Sequence, residues 1–442
     1  MFKKILIANR GEIAVRVIRA CREMGIKTLA VYSDIDRNSL HTKLADETIC
    51  IGSADAKESY LNTYTILSAA FHKGVDAIHP GYGFLSENSQ FARMCEECNI
   101  TFIGPSSNTI ELMGNKVNAR NIVKQMNCPV MNAIENIKID EIHNIDIEKE
   151  IGYPVIIKAV SGGGGRGIRI VHSKEELYTN ILNAKTEAEN YFGNAELYIE
   201  KYIKNARHIE FQILADNHGN VVHLGERECS IQRKNQKMIE ECPSSILDND
   251  MRNTMGQLAI AIAKEVNYSG VGTVEFLLDD NMNYYFLEMN TRIQVEHPVT
   301  EMVTGIDLIK EQIKVAAGMN LEIKQEDICI NGHSVECRIN ADDADNNFIP
   351  QTGLIKQLIL PGGPGVRVDS SVFNDYYISH YYDSLLAKII VHGKDRDEAI
   401  KIMKRALKET EIKGIKNNID FQYNIICCNE FESGNYNTQL IS

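Results

Sequence analysis

Over its first hundred residues the chain alternates short apolar runs with longer segments in which apolar residues recur every three or four positions. The run "KKILIAN" precedes "GEIAVRVIRACREMG", where Ile13, Val17, Cys21 and Met24 form one stripe and Gly25 is a natural stop. This spacing predicts a strand followed by an amphipathic helix. "KTLAVYS", "ETICIG", "YLNTYTILSAAFHKG", "DAIHPG" and "ITFIGP" continue the alternation, which predicts an open parallel α/β sheet. "NTIELMGNKVNARNIVKQM" reads as one helix leading into a smaller unit that ends near Ile203. Beyond it, alternating strands and the helices "MRNTMGQLAIAIAKEV" and "RDEAIKIMKRALKET" predict a larger α+β body. The pattern divides the chain into residues 1–113, 114–203 and 204–442.

Within the middle part, "YPVIIKAV" and "GIRIVHS" read as two strands joined by the run Gly162 to Gly167. Gly162, Gly164 and Gly167 satisfy G-x-G-x-x-G, but a dinucleotide-binding fingerprint needs a helix directly after the glycines, and a strand follows here. A Walker A loop is excluded because Ile168 and Arg169 stand where Lys and Ser/Thr are required. The strings H-R-D and D-F-G of protein kinases do not occur. What fits is a glycine hairpin, preceded by Lys158, that closes over a polyphosphate with backbone N–H groups. A solvent-exposed tip is the alternative, although such a tip needs only one or two glycines.

A second hairpin carries paired charges. If Asn281 and Met282 form a two-residue turn between "VGTVEFLLDD" and "NYYFLEMNTR", Glu275 lies opposite Glu288, with Asn290 on the same face beside Leu277 and Phe286. Directly opposed carboxylates destabilise a sheet unless something neutralises them. Two carboxylates and an amide oxygen are hard ligands suited to Mg²⁺ or Mn²⁺; an exposed face of solvated acids is the other reading. In "NTRIQVEHPVTE", Arg292, Gln294 and Glu296 share one side of an extended chain, which could place a small anion and take its proton, or form a structural ion pair.

Composition narrows the field. A net charge of −13 and a pI near 5.5 argue against a nucleic-acid surface. No apolar run is long enough to span a membrane and no signal-peptide pattern opens the chain, so a cytoplasmic protein is expected. Eleven scattered cysteines are expected to be reduced, and Cys95 and Cys98 read as helix residues and not as a metal or redox pair.

"IANRGEIAVRVIRA", "HPGYGFLSEN", "GYPVIIKA" with its glycine loop, "FLEMNTRIQVEHPVTE" and "VECRINA" occur in the order found in biotin carboxylase, which the chain resembles over essentially its whole length. The resemblance implies an ATP-grasp fold: an N-terminal open parallel α/β (Rossmann-like) domain, a small lid domain with the glycine loop, and a C-terminal α+β body. It also implies an ATP-dependent ligase. ATP, two divalent cations and bicarbonate would give carboxyphosphate, and the CO₂ released would carboxylate biotin on a separate biotin carboxyl carrier protein. Acetyl-CoA carboxylase, with its carboxyltransferase subunits, is the implied system, and pyruvate carboxylase or another acyl-CoA carboxylase the alternative.

By the same resemblance, Lys116 and Lys158 would bind ATP phosphates, and Gly164 and Gly165 would close over them. Glu200, Lys201, Tyr202 and Ile203 would take the adenine edge, with His208 nearby. Glu275, Glu288 and Asn290 would hold the metals. Lys237, Arg292, Gln294 and the backbone of Val295 would seat bicarbonate, and Glu296 would be its base. Arg338 would stabilise the ureido oxygen of biotin, with Tyr82 beside the ring. "QRKNQK" departs from the familiar "QRRHQK", placing Asn235 where a histidine contacts the nucleotide. The biotin-attachment string A-M-K-M is absent. A homodimer is implied, with Arg16 pairing with Asp383 of the second subunit and Arg19 and Glu23 near Arg367. Two rivals remain: an ATP-grasp amide ligase, which has no reason to carry "RIQVEHPVTE" with "VECRINA", and a silent scaffold, against which Lys237, Arg292, Glu296 and Arg338 speak.

Overall fold

The computed structural model describes residues 1–135, 137, 146–160, 168–192 and 195–441. The first part is a five-stranded sheet in the order Glu47–Gly52, Lys27–Ser33, Lys4–Ile7, Ala77–His79, Thr101–Phe102, and every pairing is parallel. The helix Gly11–Glu23 buries Ile13, Val17 and Cys21 as its stripe predicts. Those residues share a core with Val271, Ile293 and Leu308, so the first helix locks the parallel sheet onto the body behind it. Cys95 is buried inside the helix Ser89–Glu97, and all eleven cysteines are free.

The segment expected as one helix is two, Ser107–Gly114 and Lys116–Gln125. Asn115 breaks it: its backbone is extended and its side chain accepts from the N–H groups of Val117 and Asn118, an N-cap that starts a new helix at Lys116. The middle part is a four-stranded sheet, Ala133–Ile134, Leu197–Lys201, Val155–Ala159, Arg169–Val171. The helix Lys174–Phe192 covers it with Leu177, Ile181, Ala184 and Ala188, spaced on one helical face. The glycine loop, with Gly164 and Gly165, lies outside the described residues.

The body is built on one eight-stranded antiparallel sheet: Tyr284–Asn290, Gly270–Leu278, Arg207–Ala215, Val221–Arg233, Gln236–Cys242, His333–Asn340, Leu385–Gly393, Val366–Ser370. The predicted pair Glu275–Glu288 is in register, but the turn is not the two-residue turn expected. Asp279 N–H donates to the Asn283 carbonyl, and Met282 takes a left-handed conformation at φ 64°. This shifts the register by one residue, and a bulge between Glu288 and Phe286 shifts it back. The bulge also moves Phe286 off the acidic face expected for it: it pairs with Phe276 and is buried in the core behind the sheet. Among the described residues no helix is long and apolar enough to cross a membrane.

Candidate active site

One transverse row of the large sheet carries four charged residues on four neighbouring strands: Arg227 opposite Glu210, Glu210 opposite Glu275, Glu275 opposite Glu288. Side chains across such a row are near neighbours, so three carboxylates in line require cations. Lys237 supplies one, with Nζ at 2.5 Å from Glu210, 2.9 Å from Glu275 and 2.7 Å from Glu296. His208 Nε2 lies 2.8 Å from Glu275, and Lys116, first residue of its helix, pairs with Glu288. Burial would lower the Lys237 ammonium, but Glu210, Glu275 and Glu296 outweigh it and hold the pKa well above its ordinary value.

Arg227 is wholly buried and uses all five N–H donors within the protein: Glu210 at 2.6 Å, Gln212 at 2.6 Å, Thr300 at 3.1 Å, Thr273 at 3.2 Å and Gln294 at 2.6 Å. Because Arg227 claims Gln294 Oε1, the amide turns its Nε2 toward Glu275, 2.7 Å away. Arg292 donates to Glu87 at 2.9 Å and to Asn290 Oδ1 at 3.0 Å, while Asn290 Nδ2 reaches Glu275 at 2.8 Å.

Glu296 immediately precedes the helix His297–Thr304, its side chain turned not to the helix end but to a place between Lys237 and Arg338, the latter at 2.9 Å. Burial would raise its carboxyl, yet Lys237, Arg338 and Arg227 outweigh burial and hold it well below the usual carboxylate range. The carboxyl is thereby held ionised. Arg338 also pairs with Glu240, whose carboxyl is pushed up to about 7, first by burial and then, against the pull of Arg338, by the charge of Glu296. Tyr82 donates to Glu12, and the carbonyl of Val295 accepts from Lys388 at 2.8 Å.

The residues expected on the nucleotide side are placed differently. The Glu200 carboxylate is held by Arg120 and Lys158, so it positions Lys158. Lys201 Nζ donates to the carbonyls of Gly152 and Tyr153 at 3.0 Å each, and the Tyr202 hydroxyl accepts from Gln439 at 2.9 Å. Ile203 follows the strand Leu197–Lys201 and is half-buried. Asn235 occupies a hairpin tip with Lys234, both at positive φ of 62° and 48°. Asn and His are among the side chains best tolerated there, so the departure from the familiar histidine leaves the turn intact.

Arg16, expected to pair with Asp383 of a second subunit, already has partners within its own chain. Its guanidinium is bound to Glu301 at 3.0 Å and Asp307 at 2.5 Å of its own chain, and Arg367 holds Glu301 and Asp369, both at 2.7 Å. Arg19 is exposed, and Glu23 pairs with Lys310 at 2.6 Å. Sequence reading missed Glu210, Arg227, Glu240 and Lys388. The alternation His208, Glu210, Gln212 in an apolar strand was a usable signal. The partners of Arg227 and Lys388 come from distant segments and left none.

As a metal site, the row offers carboxylate oxygens of Glu275 and Glu288 and the amide of Asn290 on one face. Glu288 is partly exposed, and the ligand atoms of His208, Glu210 and Glu275 lie within 4.8 Å of one another. Two carboxylates and an amide oxygen suit a hard divalent cation, and Lys116 and Lys237 pair with the same two glutamates.

Three family descriptions match in sequence: the N-terminal domain of biotin carboxylase over 1–110, the ATP-binding domain of the carbamoyl-phosphate synthase L chain over 115–324, and the C-terminal domain of biotin carboxylase over 336–442. Biotin carboxylase 1 of Bacillus subtilis is 56% identical over 442 residues, covering 100% of this chain and 98% of the relative. The small subunit of 2-oxoglutarate carboxylase from Hydrogenobacter thermophilus is 50% identical, covering 100% and 93%. The biotin carboxylase domain dimer of the Hydrogenobacter thermophilus enzyme, solved with MgADP, ADP and bicarbonate, superposes with a TM-score of 0.96 at 50% identity, covering 99% of this chain and 97% of that one. Biotin carboxylase of Campylobacter jejuni in a β,γ-ATP complex gives 0.96 at 47%, covering 99% and 98%. Matched by these family descriptions along nearly its whole length and superposing on these enzymes over 99% of its residues, the chain belongs to the biotin carboxylase family, ATP-dependent ligases of the ATP-grasp fold.

Proposed function

We propose that the chain carboxylates biotin carried on a separate protein, with ATP and bicarbonate as co-substrates and carboxyphosphate as intermediate. The observation that carries this is Glu296, an ionised carboxylate held between two cations, Lys237 and Arg338. Bicarbonate seated by Arg292, Gln294, Lys237 and the Val295 backbone gives its proton to a Glu296 oxygen. The bicarbonate oxygen so freed attacks the γ-phosphorus, ADP leaves, and the carboxyphosphate splits into CO₂ and phosphate. The phosphate so released takes the N1′ proton of biotin, Arg338 steadies the charge this leaves on the ureido oxygen, a role suited to a fixed guanidinium fork, and N1′ then forms its bond to CO₂. Lys116 and Lys158 grip the phosphates. A divalent cation held by Glu275, Glu288 and Asn290 would neutralise charge on the phosphate oxygens.

The system served is proposed to be acetyl-CoA carboxylase, with carrier and carboxyltransferase as separate chains. The 50% identity to a 2-oxoglutarate carboxylase subunit and to the biotin carboxylase subunit of a pyruvate carboxylase supports a second reading, in which the acceptor is a keto acid. Labelled bicarbonate should appear on free biotin, and on a biotinylated carrier, only with ATP present; absence of label on both contradicts the proposal. Co-purification with a carboxyltransferase specific for acetyl-CoA or for a keto acid decides between the systems. A homodimer is proposed from the dimeric neighbour, and light scattering should give twice 49.7 kDa.

A further inference from the structure

Lys388 stands wholly buried at the centre of the strand Leu385–Gly393, between Arg338 and Asp369 on the two neighbouring strands. Its Nζ donates to the Val295 carbonyl at 2.8 Å and lies 3.1 Å from Glu12 Oε1 and 3.8 Å from Asp369. Glu12, on the first helix, gives the same Oε1 to the Tyr82 hydroxyl, and its buried Oε2 has no hydrogen-bond partner among the described residues. One ammonium thus joins the N-terminal part, the segment carrying Glu296 and the C-terminal strands. Stability alone does not account for this, because apolar residues of similar volume commonly replace a buried ion pair at no loss.

We infer that Lys388 is a positioning residue that couples the biotin side of the site to the bicarbonate side. Its bond to the Val295 carbonyl fixes the peptide group between Val295 and Glu296, and so the base itself. Its other partner, Glu12, is shared with Tyr82. A ligand that draws the Tyr82 hydroxyl away leaves Glu12 to Lys388 alone and alters the hold on that peptide. The inference rests on the roles proposed above for Tyr82, Val295 and Glu296.

The test follows ATP cleavage against bicarbonate concentration, without biotin, in the wild-type chain, Glu12→Gln, Lys388→Met, their double variant and Tyr82→Phe. Glu12→Gln and Lys388→Met should each raise the KM for bicarbonate about fivefold or more, while the double variant rises no further than the worse single, as expected for residues acting as one unit. Tyr82→Phe should raise it in the same direction, and the KM for ATP should stay within about twofold throughout, since none of these residues faces the nucleotide. An unchanged bicarbonate KM in Glu12→Gln and Tyr82→Phe overturns the inference even if Lys388→Met does not fold. So do effects that add, or parameters that all fall with the folded fraction seen by circular dichroism. A wild-type chain whose ATP cleavage ignores bicarbonate is a different result, and overturns the proposed function on which the inference stands.

Discussion

Arg227 shows how single residues set this site. Lysine in its place would keep a positive charge but could not reach five acceptors, leaving some of Gln212, Thr273, Thr300 and Gln294 unpaired in a dry interior. Arg227→Lys should therefore cost about 2–4 kcal/mol, summed over buried groups that lose partners. Denaturant titration reads this directly, and a loss below about 0.5 kcal/mol would mean the network re-forms around the smaller head. At this scale much of the site was legible. The opposition of Glu275 and Glu288 follows from the two-residue period of their strands, whereas Arg292, Gln294 and Glu296 lie not on the single extended run expected but in the bend and turn that lead into the helix His297–Thr304. Arg227 was not legible, because its role is defined by five partners on four separate segments.

Elements show where local rules were overridden. The hairpin Gly270–Leu278 with Tyr284–Asn290 places its two glutamates as predicted because a longer turn and a bulge offset each other, whereas Phe286, between the two irregularities, moved to the opposite face. Asn115 divided the expected long helix because a capping side chain outweighs continuity of the apolar pattern. The hairpin joining Val221–Arg233 to Gln236–Cys242 turns through Lys234 and Asn235, both left-handed, without a glycine. Asn235→Val should destabilise the protein by about 1–2 kcal/mol, and Asn235→His by less than about 0.5 kcal/mol, since β-branched residues fit that conformation worst and histidine fits it well. Thermal melting of the two variants checks the order, and equal losses would contradict it.

On the scale of the whole molecule, buried ion pairs join segments far apart in sequence. Glu241 accepts from His333 at 2.7 Å and Arg396 at 2.8 Å, and from the Tyr436 hydroxyl near the C-terminus. Burial would raise its carboxyl, but His333 and Arg396 outweigh it and hold it at about 2. Its contribution to stability is therefore complete above the ordinary carboxylate pKa of about 4.3 and is lost as pH falls from there toward about 2. The gap in melting temperature between the wild-type chain and Glu241→Gln should be largest near neutral pH and close below pH of about 4; a gap constant with pH would contradict the assignment. The parallel sheet, the lid and the body were legible from periodicity, but the sharing of one eight-stranded sheet by the body's two halves was not, because strand pairing across Gln236–Cys242 and His333–Asn340 leaves no local mark. The proposed reaction turns on Glu296 as the base for bicarbonate. The most direct measurement is the ratio of ATP cleavage with and without bicarbonate in the wild-type chain and in Glu296→Gln. The ratio should be large in the wild type and fall by about 10²–10⁴ in the variant, with ATP binding within several-fold of normal. An ATP cleavage rate indifferent to bicarbonate in the wild type, or a variant that keeps the full ratio, would contradict it.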